Sequence, residues 1–176
     1  MISTLPLILA ISTTAFAPCS PAVPRNPEGN YALPVPAHSA WFQVDANRVA
    51  VLGESSAGHW VAEVGSEPCA GCEVQAVVSF CGVYDLPKLA GEPEWKSWVP
   101  HWFEDPSAEA LQVSSPLLFH ASSQLPPILL IQGTDDPLYR GKLEYAGRLR
   151  DMHARYRLIV RQGAPHGMED WESHPE

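Results

Sequence analysis

No stretch of this 176-residue chain reaches the roughly 18 continuous apolar residues that a membrane-spanning helix needs. Positive charge is scarce, with 11 Lys and Arg against 20 Asp and Glu and a formal net charge of -9. An acidic surface argues against nucleic acid and against an anionic membrane as partners. The sequence holds no H-E-x-x-H and no glycine-rich phosphate loop followed by lysine, so metal and nucleotide chemistry have no motif support. Only four cysteines are present, Cys19, Cys69, Cys72 and Cys81. The C-x-x-C pair Cys69 and Cys72 lacks two further ligands at zinc-site spacing. It also follows a predicted helix instead of opening one, which does not suit a thioredoxin-like pair. A structural disulfide or two free loop thiols remain, and Cys81, in an apolar run, reads as a buried small hydrophobe.

There is no Lys or Arg before Arg25. The apolar run Leu5 to Ile11 therefore lacks the positive flank of a signal peptide, although Ala15-Phe16-Ala17 resembles a cleavage site. A buried strand explains the same run and is preferred. Residues 1–36 are thus a strand or signal-like segment followed by a Pro-rich loop, and residues 37–176 are read as the main domain. Hydrophobic content of 45% with 18% charge suits a globular chain with a real core.

The best-defined stretch is Arg48 to Trp60. A valine-rich run ends at Gly53, turns through Glu54-Ser55-Ser56-Ala57-Gly58, and continues into a helical pattern to about residue 66. Strand, tight turn with serine at its tip, then helix is the nucleophile-elbow arrangement, usually G-x-S-x-G. Ala57 replaces the last glycine, which is tolerated if that residue needs no positive φ. A rival register puts the nucleophile at Ser56, with Gly58 closing the turn. Ser55 is preferred because Gly53 then ends the strand two residues earlier, and the Ser56 amide is the expected oxyanion donor.

Before this stretch, Val44 to Asn47 reads as a turn with Asx chemistry. After it, strands are predicted at 74–81, 127–132 and 156–160, with a helix over 140–154 whose apolar positions are Leu143, Ala146, Leu149 and Met152. The 83–125 connection is long enough to be a lid-like insertion, and its Trp95, Trp98 and Trp102 are candidates to line a pocket. Strands alternating with helices predict an α/β fold: a mostly parallel sheet with helices on both faces.

In such sheets functional groups collect at the carboxyl ends of the strands. The third predicted strand ends in Gly133-Thr134-Asp135-Asp136-Pro137, and the fourth is followed by Gly163-Ala164-Pro165-His166-Gly167. With Ser55 the chain order is Ser, Asp, His. Serine needs an imidazole to take its proton, and the imidazole needs a carboxylate to fix its tautomer. Either Asp135 or Asp136 meets that need on spacing. His38, His59, His101, His120, His153 and His174 read as ordinary packing or surface residues.

Together these segments resemble the α/β-hydrolase esterases, namely acetyl and feruloyl esterases and the hormone-sensitive-lipase-like carboxylesterases. Gly53-Glu54-Ser55-Ser56-Ala57-Gly58-His59 is similar to their G-E-S-x-G-G-H elbow. Asp45 to Val51 resembles D-P-x-R-I-A-V, and Gln132 to Leu138 resembles H-G-T-x-D-x-L. Gly163 to Met168 resembles G-x-x-H-G-F. The resemblance spans about residues 37–171. It places the acid at Asp136 and implies a reduced α/β-hydrolase that cleaves a small ester through Ser55, His166 and Asp136. No cofactor or metal is implied. Amidase or peptidase work is the nearby alternative. The family also carries an H-G-G loop that completes the oxyanion hole, and no H-G-G occurs here. Residues 12–14, Ser-Thr-Thr, are the candidate replacement. The rival expectation is a truncated or catalytically weak relative without a complete hole.

Overall fold

The computed structural model describes residues 5–11, 44–66, 74–99, 107–118 and 125–168. Five strands form one parallel sheet: β1 (Leu5–Ile11), β2 (Val44–Glu54), β3 (Ala76–Phe80), β4 (Ile128–Gly133) and β5 (Tyr156–Arg161). Four helices are described, α1 (Ser56–Ser66), α2 (Leu86–Gly91), α3 (Ala108–Val113) and α4 (Tyr139–Asp151). Spatial strand order follows chain order. Right-handed crossovers that always step the same way stack on one face of the sheet.

That expectation matches the packing. Val51, Val77 and Ile128 lie side by side in register. They share one core with Val61 and Ala62 of α1 and with Tyr145, Ala146 and Leu149 of α4. The Tyr84 and Tyr145 rings stack within it, 4.3 Å between centroids. The next row, Leu52, Val78 and Leu129, points to the opposite face and is half-buried. Of the two expected helical layers, the described residues supply the one built from α1 and α4.

Two details differ from the sequence expectation. β2 starts at Val44, four residues early, because the Asx turn is absorbed as an irregularity in the β1–β2 ladder, where Leu5 pairs Val44 and Leu7 pairs Val49. The Asn47 amide still donates to Asp45 Oδ1 at 2.9 Å. The apolar stripe of α4 keeps Ala146 and Leu149 as expected but not its first member. Leu143 is exposed, and the buried positions are Lys142, Tyr145, Ala146 and Leu149.

Part of the 83–125 connection, through Val83, Leu86, Leu89, Val99 and Leu111, forms a second, smaller core with Leu138. Asp85 caps α2 by accepting from the Lys88 amide, and Ser107 caps α3 by accepting from Ala110. The Ser115 hydroxyl accepts from the Leu86 amide at 2.9 Å and ties the two ends of the connection together. Trp95 packs against this core, Trp98 is largely exposed, and Trp102 lies outside the described residues. Cys19, Cys69, Cys72 and residues 12–14 also lie outside them. Among the described residues no helix is long and apolar enough to cross a membrane.

Candidate active site

β2 delivers Ser55 to the carboxyl edge of the sheet. Ser55 itself has φ of 57°, the left-handed region that most side chains avoid. A positive φ on a non-glycine residue at a strand-to-helix turn is the strain expected of a nucleophile elbow. The turn is held by the Ser55 amide donating to the Phe80 carbonyl at 2.9 Å and by the His59 amide donating to the Ser55 carbonyl at 3.1 Å. A Cβ on Gly53 would collide with the Ala57 carbonyl, so only glycine fits there. Ala57 is buried and is not among the residues with positive φ, which is why alanine serves where glycine is usual. Ser56 is the first residue of α1.

The other two strand ends meet at the same rim. Gly133 closes β4 against the loop after β5, and a Cβ there would strike the Ala164 carbonyl. The Asp135 amide donates to that carbonyl at 3.1 Å, and the Thr134 hydroxyl accepts from the Gly163 amide at 2.8 Å. These bonds lock the acid loop to the histidine loop. Asp136 is buried and its Oδ1 accepts from the Leu138 amide at 2.8 Å, while Asp135 is exposed. His166 Nδ1 lies 2.8 Å from Asp136 Oδ2, and its Nε2 lies 2.9 Å from Ser55 Oγ. A carboxylate only accepts, so Nδ1 carries the proton and Nε2 is left to accept from the serine hydroxyl. The Met168 amide donates to Glu54 Oε1 at 2.7 Å, which pins the histidine loop to the elbow.

The electrostatics follow from these bonds. For His166, the hydrogen bond to Asp136 is the largest influence, and it raises the ring above the usual histidine range against the opposing effect of burial. For Asp136, burial acts upward, but the bonds from His166 and the Leu138 amide together outweigh it and hold the carboxyl below its usual range. Cys81, with φ of 50°, is buried beneath the pair. Burial pushes its thiol up to about 12, so it is protonated. Cys81, Asp136 and His166 place a sulfur, an oxygen and a nitrogen within 4.8 Å of one another, the one such set among the described residues.

His59, one turn into α1, has a structural place. It is buried, and its Nδ1 donates to the Val83 carbonyl at 3.0 Å. Burial lowers its pKa to about 4, so the ring is neutral. A base depressed in the folded state leaves extra protons to the unfolded state between pH 6.5 and 4. Stability should therefore fall across that window as pH drops, by roughly 3 kcal/mol for this group. Urea unfolding at pH 7 and pH 4 should show wild type losing about that much more than His59→Asn; equal losses in both would contradict it.

Of the residues singled out in the sequence, Ser55, Asp136 and His166 come together. Ser56 adjoins them, and residues 12–14 lie outside the described region. β1 nevertheless ends with Ile11 paired to Gly53, two residues from Ser55. Sequence reasoning placed Cys81 as buried, as observed, but missed its nearness to Asp136 and His166, and it missed Lys142. Lys142 is fully buried in the first turns of α4. The signal was its place in the 142, 145, 146, 149 helical repeat, where an apolar residue is normal.

The family profile described as alpha/beta hydrolase fold matches residues 29–170. No curated protein matches the chain. Among solved structures, it is similar to an acetyl ester-xyloside bifunctional hydrolase from Caldicellulosiruptor lactoaceticus, at 22% identity and a TM-score of 0.66, over 80% of this chain and 55% of that one. It is similar to a hyperthermophilic esterase from Pyrobaculum calidifontis, at 22% identity and a TM-score of 0.65, over 80% and 51%. A third likeness is to Thermogutta terrifontis esterase 2 phosphonylated by sarin, at 21% identity and a TM-score of 0.65, over 76% and 52%. The chain thus spans about half the length of these structures. A family match over most of its sequence, together with the parallel sheet and the strained serine turn, makes this chain a member of the alpha/beta hydrolase fold family.

Proposed function

We propose that this protein is a serine hydrolase of carboxylic esters. The observation that carries the reading is the unbroken run of hydrogen bonds from Ser55 through His166 to Asp136. His166 takes the hydroxyl proton as Ser55 Oγ bonds to the ester carbonyl carbon. The charged imidazolium is stabilised by Asp136 and then gives its proton to the leaving alcohol as the ester C–O bond breaks. Water, deprotonated by the same imidazole, hydrolyses the acyl-enzyme and returns Ser55 to its starting state.

The oxyanion that forms in each step needs donors aimed at it. Ser56 supplies one amide from the positive end of α1. Residues 12–14, the candidate source of the second, lie outside the described residues. A missing donor costs about 100- to 1000-fold in rate. The reading draws support from the esterases among the similar folds. Hydrolysis of p-nitrophenyl acetate by wild type and Ser55→Ala tests it. The expected result is hydrolysis above buffer that the substitution removes. Equal, near-buffer rates in both would contradict it.

A further inference from the structure

Cys81 follows directly on β3 and holds φ of 50°, a conformation that costs a non-glycine residue energy. Its amide is fixed by donation to the Ile131 carbonyl at 3.0 Å. Gly82, next in the chain, has no room for a Cβ, which would meet Ser79 Oγ and the Gly58 backbone within 2.9 Å. This tight turn sets the thiol at a defined point beside two members of the candidate active site. One donor atom each from Cys81, Asp136 and His166 lies within 4.8 Å of the other two.

A soft sulfur, an imidazole nitrogen and a carboxylate oxygen form a donor set suited to Zn²⁺. Around a tetrahedral ion with bonds of about 2.3 Å to sulfur and about 2.0 Å to nitrogen and oxygen, such atoms stand roughly 3.3 to 3.5 Å apart. His166 Nδ1 and Asp136 Oδ2 are 2.8 Å apart and need to open by about half an ångström. Cys81 and Asp136 are buried, while His166 is the exposed member of the set. An ion therefore enters from the His166 side and keeps a water in its fourth position, as open zinc sites do.

Binding displaces two protons, one from the Cys81 sulfur and one from His166 Nδ1. The imidazole stays neutral by taking a proton at Nε2, and one proton leaves to solvent. An Nε2–H facing Ser55 Oγ, 2.9 Å away, cannot accept the hydroxyl proton.

We propose that Cys81, Asp136 and His166 form an inhibitory site for Zn²⁺ and like thiophilic divalent cations, which silences Ser55 by taking the imidazole that would activate it. The inhibition rests on the reading of Ser55 as the nucleophile; the binding does not.

Binding is read with Co²⁺ as the probe on Ser55→Ala protein, which needs no activity. A thiolate-to-Co²⁺ absorption is expected, and the share of one thiolate per chain should vanish when either Cys81→Ser or His166→Ala is added. Dependence on His166 separates this site from Cys69 and Cys72, and it keeps the test open should Cys81→Ser fail to fold. A spectrum that His166→Ala leaves unchanged would overturn the site. Inhibition is read with p-nitrophenyl acetate, each protein against its own metal-free rate. The Zn²⁺ concentration that halves hydrolysis, with recovery on adding EDTA, should rise at least about tenfold in Cys81→Ser, the loss that even an indirect partner of a metal ligand produces. Equal sensitivity in the two proteins, or hydrolysis that Zn²⁺ leaves intact, would overturn the inhibitory role. A His166-dependent spectrum without Ser55-dependent hydrolysis would sink the hydrolase reading and leave the metal site standing.

Discussion

Ser55→Ala is expected to lower kcat for p-nitrophenyl acetate by on the order of 10⁴- to 10⁶-fold. The loss is that large because no other hydroxyl is bonded to His166 Nε2 among the described residues. Removing Oγ leaves whatever the oxyanion donors and substrate binding provide. The fold should not suffer, since alanine keeps the Ser55 amide bond to the Phe80 carbonyl and changes only one small, partly exposed side chain. The positive φ at Ser55 is a strain that either residue bears. Loss of activity should therefore come with an unchanged midpoint of urea unfolding. Activity within tenfold of wild type would mean that the nucleophile lies elsewhere, with Ser56 the nearest candidate.

Asp136→Asn is expected to cost about 10⁴-fold in kcat while leaving the backbone in place. The reason lies in the two bonds of this carboxylate. Oδ1 must remain an acceptor, because the Leu138 amide donates to it. An asparagine therefore keeps its carbonyl there and turns its NH₂ toward His166. Nδ1 then has to accept, which moves the ring proton to Nε2. An Nε2–H facing Ser55 cannot take the hydroxyl proton. The same substitution at Asp135 should change activity by less than about threefold, since Asp135 is exposed and, among the described residues, its side chain accepts from Thr134 alone. Assays of both variants under one condition separate the two aspartates. Similar losses at the two positions would contradict the geometry.

What could be read beforehand was whatever leaves a local mark. Gly53 and Gly133 are each forced by a backbone that passes too close for a Cβ, and each sits a few residues before a reactive side chain. Such close approaches concentrate small residues at strand ends, so Ser55, Asp136 and His166 stood out by position and type. What could not be read was whatever depends on distant packing. Cys81 looked like core because its local run is apolar, and only the fold sets it under Asp136. Lys142 drew no reading, because lysine is rarely fully buried. Lys142 is buried beside Ala146 and Leu149, with its Nζ reaching the Ser79 carbonyl of β3, while Leu143 is exposed. The start of β2 escaped for a third reason: an Asx bond that normally ends a strand is here held within a ladder irregularity.

The central claim is that Ser55 is a nucleophile activated by His166. Stoichiometric labelling by a fluorophosphonate tests it most directly, because the reagent forms a phosphorus–oxygen bond only with an activated hydroxyl and needs no knowledge of the natural ester. One adduct per chain is expected, mapped by mass spectrometry to Ser55, and absent after Ser55→Ala or when His166 is replaced by alanine. An intact, folded protein that stays unlabelled, or that carries the adduct on Ser56, would contradict the account.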